Sequence, residues 1–266
     1  MTEALHPCCD SSSSSPIWEG KSKGKIISVD GIETYVSRGL QLSLTSEDSE
    51  VRTSNEPDED LKRVILFLTE AHGIYLPNAQ LLADSFASHL NCDVFVPDQF
   101  AGQSRLPKGE TPKAFEEWKM RHEPPVTDPI LTRIVKYIHD TYGKGVRIGG
   151  VGYCFGGRYI IRLMGCGIID VGVVNHPSFF TMEEVEKLGK GKKLAMYAAE
   201  KDDILPPDKR RQTEDVLTSV GATWISTVFS GTEHGFSVRG DLSIKEVRLA
   251  KERAFKGAVE WFSDWL

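Results

Sequence analysis

The chain has 266 residues, 40% of them hydrophobic, and a formal net charge of −6. That length and apolar content suffice for one substantial core. Acids and bases are interspersed, which argues against nucleic acid or an anionic membrane as partner.

Met1 to Pro16 holds Cys8, Cys9 and a serine run but no apolar core. Neither a signal peptide nor a lipid anchor is expected, so cytoplasmic residence is the default. The expected organisation is a flexible arm over residues 1–22 and one α/β domain over 23–266. Lys25 to Ser37 reads as a hairpin around Asp30-Gly31, a strong two-residue turn signal. The polar stretch Ser43 to Asp60 reads as an exposed loop. Arg63 to Thr69 is an apolar run of strand length, suited to a strand buried on both faces. A helix is expected over Asn78–Leu90 and a strand over Asp93–Pro97. Phe100 to Asp128, rich in proline, glycine and charge, is expected to be irregular, with a short helix around Phe115–Met120.

Alternation continues with a helix over Pro129–Tyr142, a strand over Arg147–Val151 and a helix over Phe155–Met164. Strands follow over Asp170–Asn175 and Lys193–Ala199. Next come a helix over Asp208–Val220 closed by Gly221, a strand over Thr223–Phe229 and a helix over Ile244–Trp265. The pattern predicts an α/β fold: a mostly parallel central sheet with helices on both faces, its ligands at the carboxyl edge of the strands.

The most informative residues are Gly152-Tyr153-Cys154-Phe155-Gly156. They form a nucleophile-elbow pattern with Cys in the nucleophile position, between an expected strand and an expected helix. The glycines let the turn pass closely, and the Phe155 amide is aimed where an oxyanion would form. The five cysteines include no C-x-x-C pair, so no zinc ribbon, metal site or disulfide scaffold is expected, and no cofactor.

A thiol needs a base, and the base needs an orienting acid. In an elbow hydrolase these follow later strands in the order nucleophile, acid, histidine. Asp202 and Asp203 lie past the strand over 193–199, and both qualify as the acid. His234 lies past the strand over 223–229. His72 and His176 also follow strand ends and are expected to line the pocket.

Three segments carry a resemblance: residues 152–157, Asp202 to Pro206, and Gly231 to Phe236. Together they resemble the dienelactone hydrolase family, the cysteine branch of the α/β-hydrolases, from about Lys62 to the C-terminus, and in its eukaryotic, fungal form. The resemblance implies a Cys154-Asp202-His234 triad, with Asp202 favoured because Pro206 follows four residues on. It implies Glu70 as an acid governing the thiol and the Ala71 amide as the second oxyanion donor beside Phe155. It also implies Arg239 and Arg105 as anchors for a substrate carboxylate, with Phe236 in the pocket. The expected activity is hydrolysis of a small activated ester or enol-lactone through an acyl-enzyme, by a monomer or homodimer. Two other readings stand beside it: a catalytically weak ligand-binding or stress-related protein on the same fold, and a redox-sensing thiol protein.

Overall fold

In the computed structural model, residues 18–39, 62–104 and 111–266 are described. Lys25–Val29 (β1) and Ile32–Ser37 (β2) pair antiparallel, with Val29 opposite Ile32. The turn residues Asp30 and Gly31 have φ of 49° and 77°. Two left-handed residues in succession match the twist of the flanking strands, which is why Asp-Gly stands there.

The other strands are Arg63–Leu68 (β3), Asp93–Pro97 (β4), Arg147–Tyr153 (β5), Val171–Asn175 (β6), Lys193–Lys201 (β7) and Thr223–Glu233 (β8). Among the described residues they form one sheet in the order β1-β2-β4-β3-β5-β6-β7-β8. β2 meets β4 antiparallel, and every pairing from β4 to β8 is parallel. Alternation sorts the side chains of β3. Val64, Leu66 and Leu68 enter one core, while Ile65 and Phe67 enter the other.

The first core is closed by helices Pro124–Tyr142 (α3), Phe155–Gly165 (α4), Met182–Glu186 (α5) and Pro207–Ser219 (α6), through residues such as Leu131, Ile134, Ile160, Val185 and Leu217. The second is closed by Pro77–Leu90 (α1) and Lys245–Trp265 (α8), through Leu82, Phe86, Ala254, Ala258 and Phe262. Both faces are therefore covered, as a mostly parallel sheet requires. No helix among the described residues is long and apolar enough to cross a membrane.

Several boundaries differ from expectation. The segment read as irregular holds a full helix, Pro112–Arg121 (α2), and α3 begins at Pro124 rather than Pro129. β8 runs on to Glu233, past Gly231, with a register irregularity opposite Ala199 and Lys201. The short helix Phe236–Arg239 (α7) was not expected. The expected loop over 43–60 lies outside the described residues. Of the expected arm, residues 1–17 also lie outside them, while Trp18 is buried, its amide donating to Asn78 Oδ1 at 2.9 Å.

Candidate active site

The carboxyl ends of β3, β5, β6, β7 and β8 bring the candidate residues together. Cys154 sits between β5 and α4 with φ 50° and ψ −112°, outside the common regions for a residue with a side chain. Its neighbours explain how the turn is held. A Cβ on Gly152 would come within 2.6 Å of the Gly156 carbonyl, and one on Gly156 would collide with the Leu68 carbonyl oxygen. The Gly156 amide donates to Thr69 O at 3.1 Å, pinning the start of α4 to the end of β3. That contact places Glu70 and Ala71 beside Cys154 and Phe155. Among the described residues, neither the Ala71 nor the Phe155 amide has an acceptor.

His234 follows β8 and is held by Asp202, which follows β7: Nδ1 lies 2.7 Å from Asp202 Oδ2. Both side chains are fully enclosed. Asp202 Oδ1 in turn accepts the amides of Ile204 (3.0 Å) and Leu205 (3.1 Å), which fixes its carboxylate plane. Asp203, the other candidate acid, is exposed. Burial works against charge on Asp202, but the bond to His234 and the two amides hold its carboxyl below the usual aspartate range. Burial also works against charge on His234. The facing Cys154 sulfur and Asp202 outweigh it and push the imidazole up to about 10. Nε2 of His234 is buried and faces the Cys154 sulfur.

Glu70 is buried at the end of β3 and accepts from Arg239 Nε, 2.6 Å from its Oε2. Burial alone would raise its pKa. Arg239, with His72 and His234 nearby, holds it below the usual glutamate range. In this structure Arg239, from α7, is thus engaged with Glu70. Arg105 lies outside the described residues.

His176 is wholly buried rather than on a pocket surface. It lies edge-on to His234, ring centroids 4.9 Å apart, and its Nε2 is 2.8 Å from Ser237 Oγ. Burial, then the charges of His234 and Arg239, lower its pKa well below the ordinary histidine value. A neutral ring therefore backs the charged one. Phe236 is likewise buried and packs on His176 and Phe229. Two serines carried no sequence signal: Ser237 on His176, and Ser178, whose Oγ lies 3.4 Å from Cys154 Sγ. Their only mark in the sequence is position, each just past a strand that ends at this edge. The aromatic wall beside the elbow comes from α2: Trp118 packs on Phe155 with centroids 5.3 Å apart, and its Nε1 donates to Gln103 O.

Residues 52–266 match the model of the dienelactone hydrolase family. The chain is 35% identical over 260 residues to hydrolase pyvD of Aspergillus violaceofuscus, covering 97% of this chain and 96% of that one. It is 39% identical to hydrolase tropI of Talaromyces stipitatus, covering 83% and 88% of the two chains. It is 28% identical to dienlactone hydrolase 2 of Gibberella moniliformis, covering 93% and 90%. Among solved structures it resembles dienelactone hydrolase from Anabaena variabilis, with a TM-score of 0.63 at 10% identity, covering 93% of this chain and all of that one. At that identity the likeness speaks for the fold.

Proposed function

Since this chain belongs to the dienelactone hydrolase family and is a carboxylic ester or lactone hydrolase, we propose that it opens a small activated ester or enol-lactone with Cys154 as nucleophile, His234 as proton carrier and Asp202 as orienting acid. The observation that carries the reading is the enclosed His234–Asp202 pair, 2.7 Å apart, facing a thiol on a strained turn.

The thiolate attacks the acyl carbon, and the carbonyl electron pair moves onto oxygen. The free amides of Ala71 and Phe155 receive that oxyanion. Collapse expels the alcohol or enol oxygen, which takes the proton from His234 Nε2, and a thioester remains. The sulfur then carries no charge, so the largest cause of the raised histidine pKa is gone. His234 is now a base, and it deprotonates the water that attacks the thioester. Departure of the thiolate restores the starting ion pair. Asp202 keeps the imidazole tautomer throughout. Glu70, anionic through Arg239, adds negative charge near the imidazolium.

The chemistry selects activated substrates. A thiolate leaves a tetrahedral intermediate more readily than an alkoxide does, so ordinary esters and amides revert, whereas a stabilised enolate competes. Cys154→Ala is expected to stay folded and to lose turnover and the acyl-enzyme burst on a chromogenic ester. Full activity in that variant would overturn the assignment. A panel of enol-lactones against saturated lactones tests the substrate class.

A further inference from the structure

Ser178 has one side-chain hydrogen-bond partner among the described residues, the sulfur of Cys154 at 3.4 Å. We propose that Ser178 is a further catalytic residue, whose hydroxyl donates to the Cys154 thiolate and stabilises it both as nucleophile and as leaving group. The inference rests on the reading of Cys154 as nucleophile.

A thiolate can only accept hydrogen bonds, so what matters is which side chains can donate to it. Glu70 is an anion and cannot donate. His234 Nε2 also faces the sulfur, but its proton is handed on to the leaving group during the cycle, so it cannot serve the thiolate throughout. A hydroxyl suits the remaining role because it rotates: it can accept from a thiol and donate to a thiolate without changing its own charge.

The serine is also preorganised. It is wholly buried, and its amide donates to Cys154 O at 3.0 Å. The Cys154 amide donates to Asn175 O at 3.0 Å, so residues 175–178 grip the nucleophile from both sides of its peptide. Between those contacts the chain reverses through His176 at φ 36°, a strained conformation for a residue with a side chain. That kink delivers the imidazole of His176 to His234 and the hydroxyl of Ser178 to the sulfur. The other titratable groups at this edge are His72, Glu70 with Arg239, and His234 with Asp202.

The role is sharpest at deacylation. Water adds to the thioester carbonyl, its proton going to His234. The C–S bond then breaks and its electron pair goes to sulfur. Ser178 meets the new charge with a hydrogen bond and keeps its own proton.

The test is the pH dependence of Cys154 alkylation by iodoacetamide, read by mass spectrometry on the Cys154 peptide so that other cysteines do not contribute. In Ser178→Ala the midpoint is expected to move up by about one pH unit, the size expected for a lost hydrogen bond to a charged group. The turnover number on an activated ester is expected to fall about tenfold in parallel. Ser178→Gly, which also lacks the oxygen, makes the same test if the alanine variant does not fold. An unmoved midpoint in a folded variant overturns the proposal. Alkylation does not depend on turnover, so this failure is distinct from that of the nucleophile assignment, which Cys154→Ala decides.

Discussion

Adjacent carboxylates at residues 202 and 203 meet opposite surroundings. Asp202 is enclosed, with one oxygen on His234 and the other on two amides, while Asp203 faces solvent. Asp202→Asn keeps the shape but presents an amide where the histidine needs an acceptor, and it removes the charge that stabilises the imidazolium. A loss of turnover on the order of 10³–10⁴-fold is expected, while Asp203→Asn stays close to the parent. Comparable losses in both variants would mean that the carboxylate bonded to His234 does not act as the orienting acid. The sequence left the two residues open, because strand spacing locates a loop and not the direction of a side chain within it. The elbow was legible for the opposite reason. Its glycines answer to a steric demand at fixed positions, whereas Ser178 and Ser237 answer to contacts made only after folding.

The same demand sets the behaviour of whole elements. β3 and α4 approach each other through Gly156, whose α-hydrogen faces the Leu68 carbonyl. Gly156→Ala cannot be accommodated without parting the helix from the strand. A loss of about 3 kcal/mol or more in denaturant unfolding is expected, with activity falling through the displaced Phe155 amide. An alanine variant of parent stability would mean the elbow has slack that its contacts do not suggest. Strands and most helices were legible because burial on one or both faces imposes a period. The starts of α2 and α3 were not, because their prolines look like breakers. Pro112 follows the N-cap Thr111, and Pro124 and Pro125 occupy the opening positions of α3. There a proline costs no hydrogen bond and presets the helical φ. Only Pro129 lies within the helix. Gly231, expected to lie past the strand over 223–229, is absorbed by β8 at φ 73°.

Across the molecule, buried titratable groups gather at one edge of the sheet, and they set how stability varies with pH. His176 has a depressed pKa, so its contribution is present above the ordinary histidine value of about 6.5 and is lost as pH falls below it. Glu70 and Asp202 are also depressed, and theirs is lost at still lower pH, as each is protonated. His234 acts oppositely. Its pKa is raised to about 10, so its contribution is complete below the ordinary value and declines as pH rises through about 10. The melting temperature is therefore expected to peak near neutrality, falling steeply on the acid side and more gently toward pH 10. A melting temperature that stays flat from pH 4 to 7 would contradict this arrangement.

The strand order also imposes a sequence of events on a chain being synthesised. β2 has no inner neighbour until β4 is made, and β3 and β5 must then settle beside it. Cys154 is made 80 residues before His234, roughly ten seconds earlier at ordinary rates of synthesis. Throughout that interval the sulfur lacks the His234 imidazole beside it. On the proposed reading, the nucleophile is thus among the last parts of the protein to become reactive. The proposed catalytic pair of Cys154 and His234 is completed only when β8 joins the edge of the sheet.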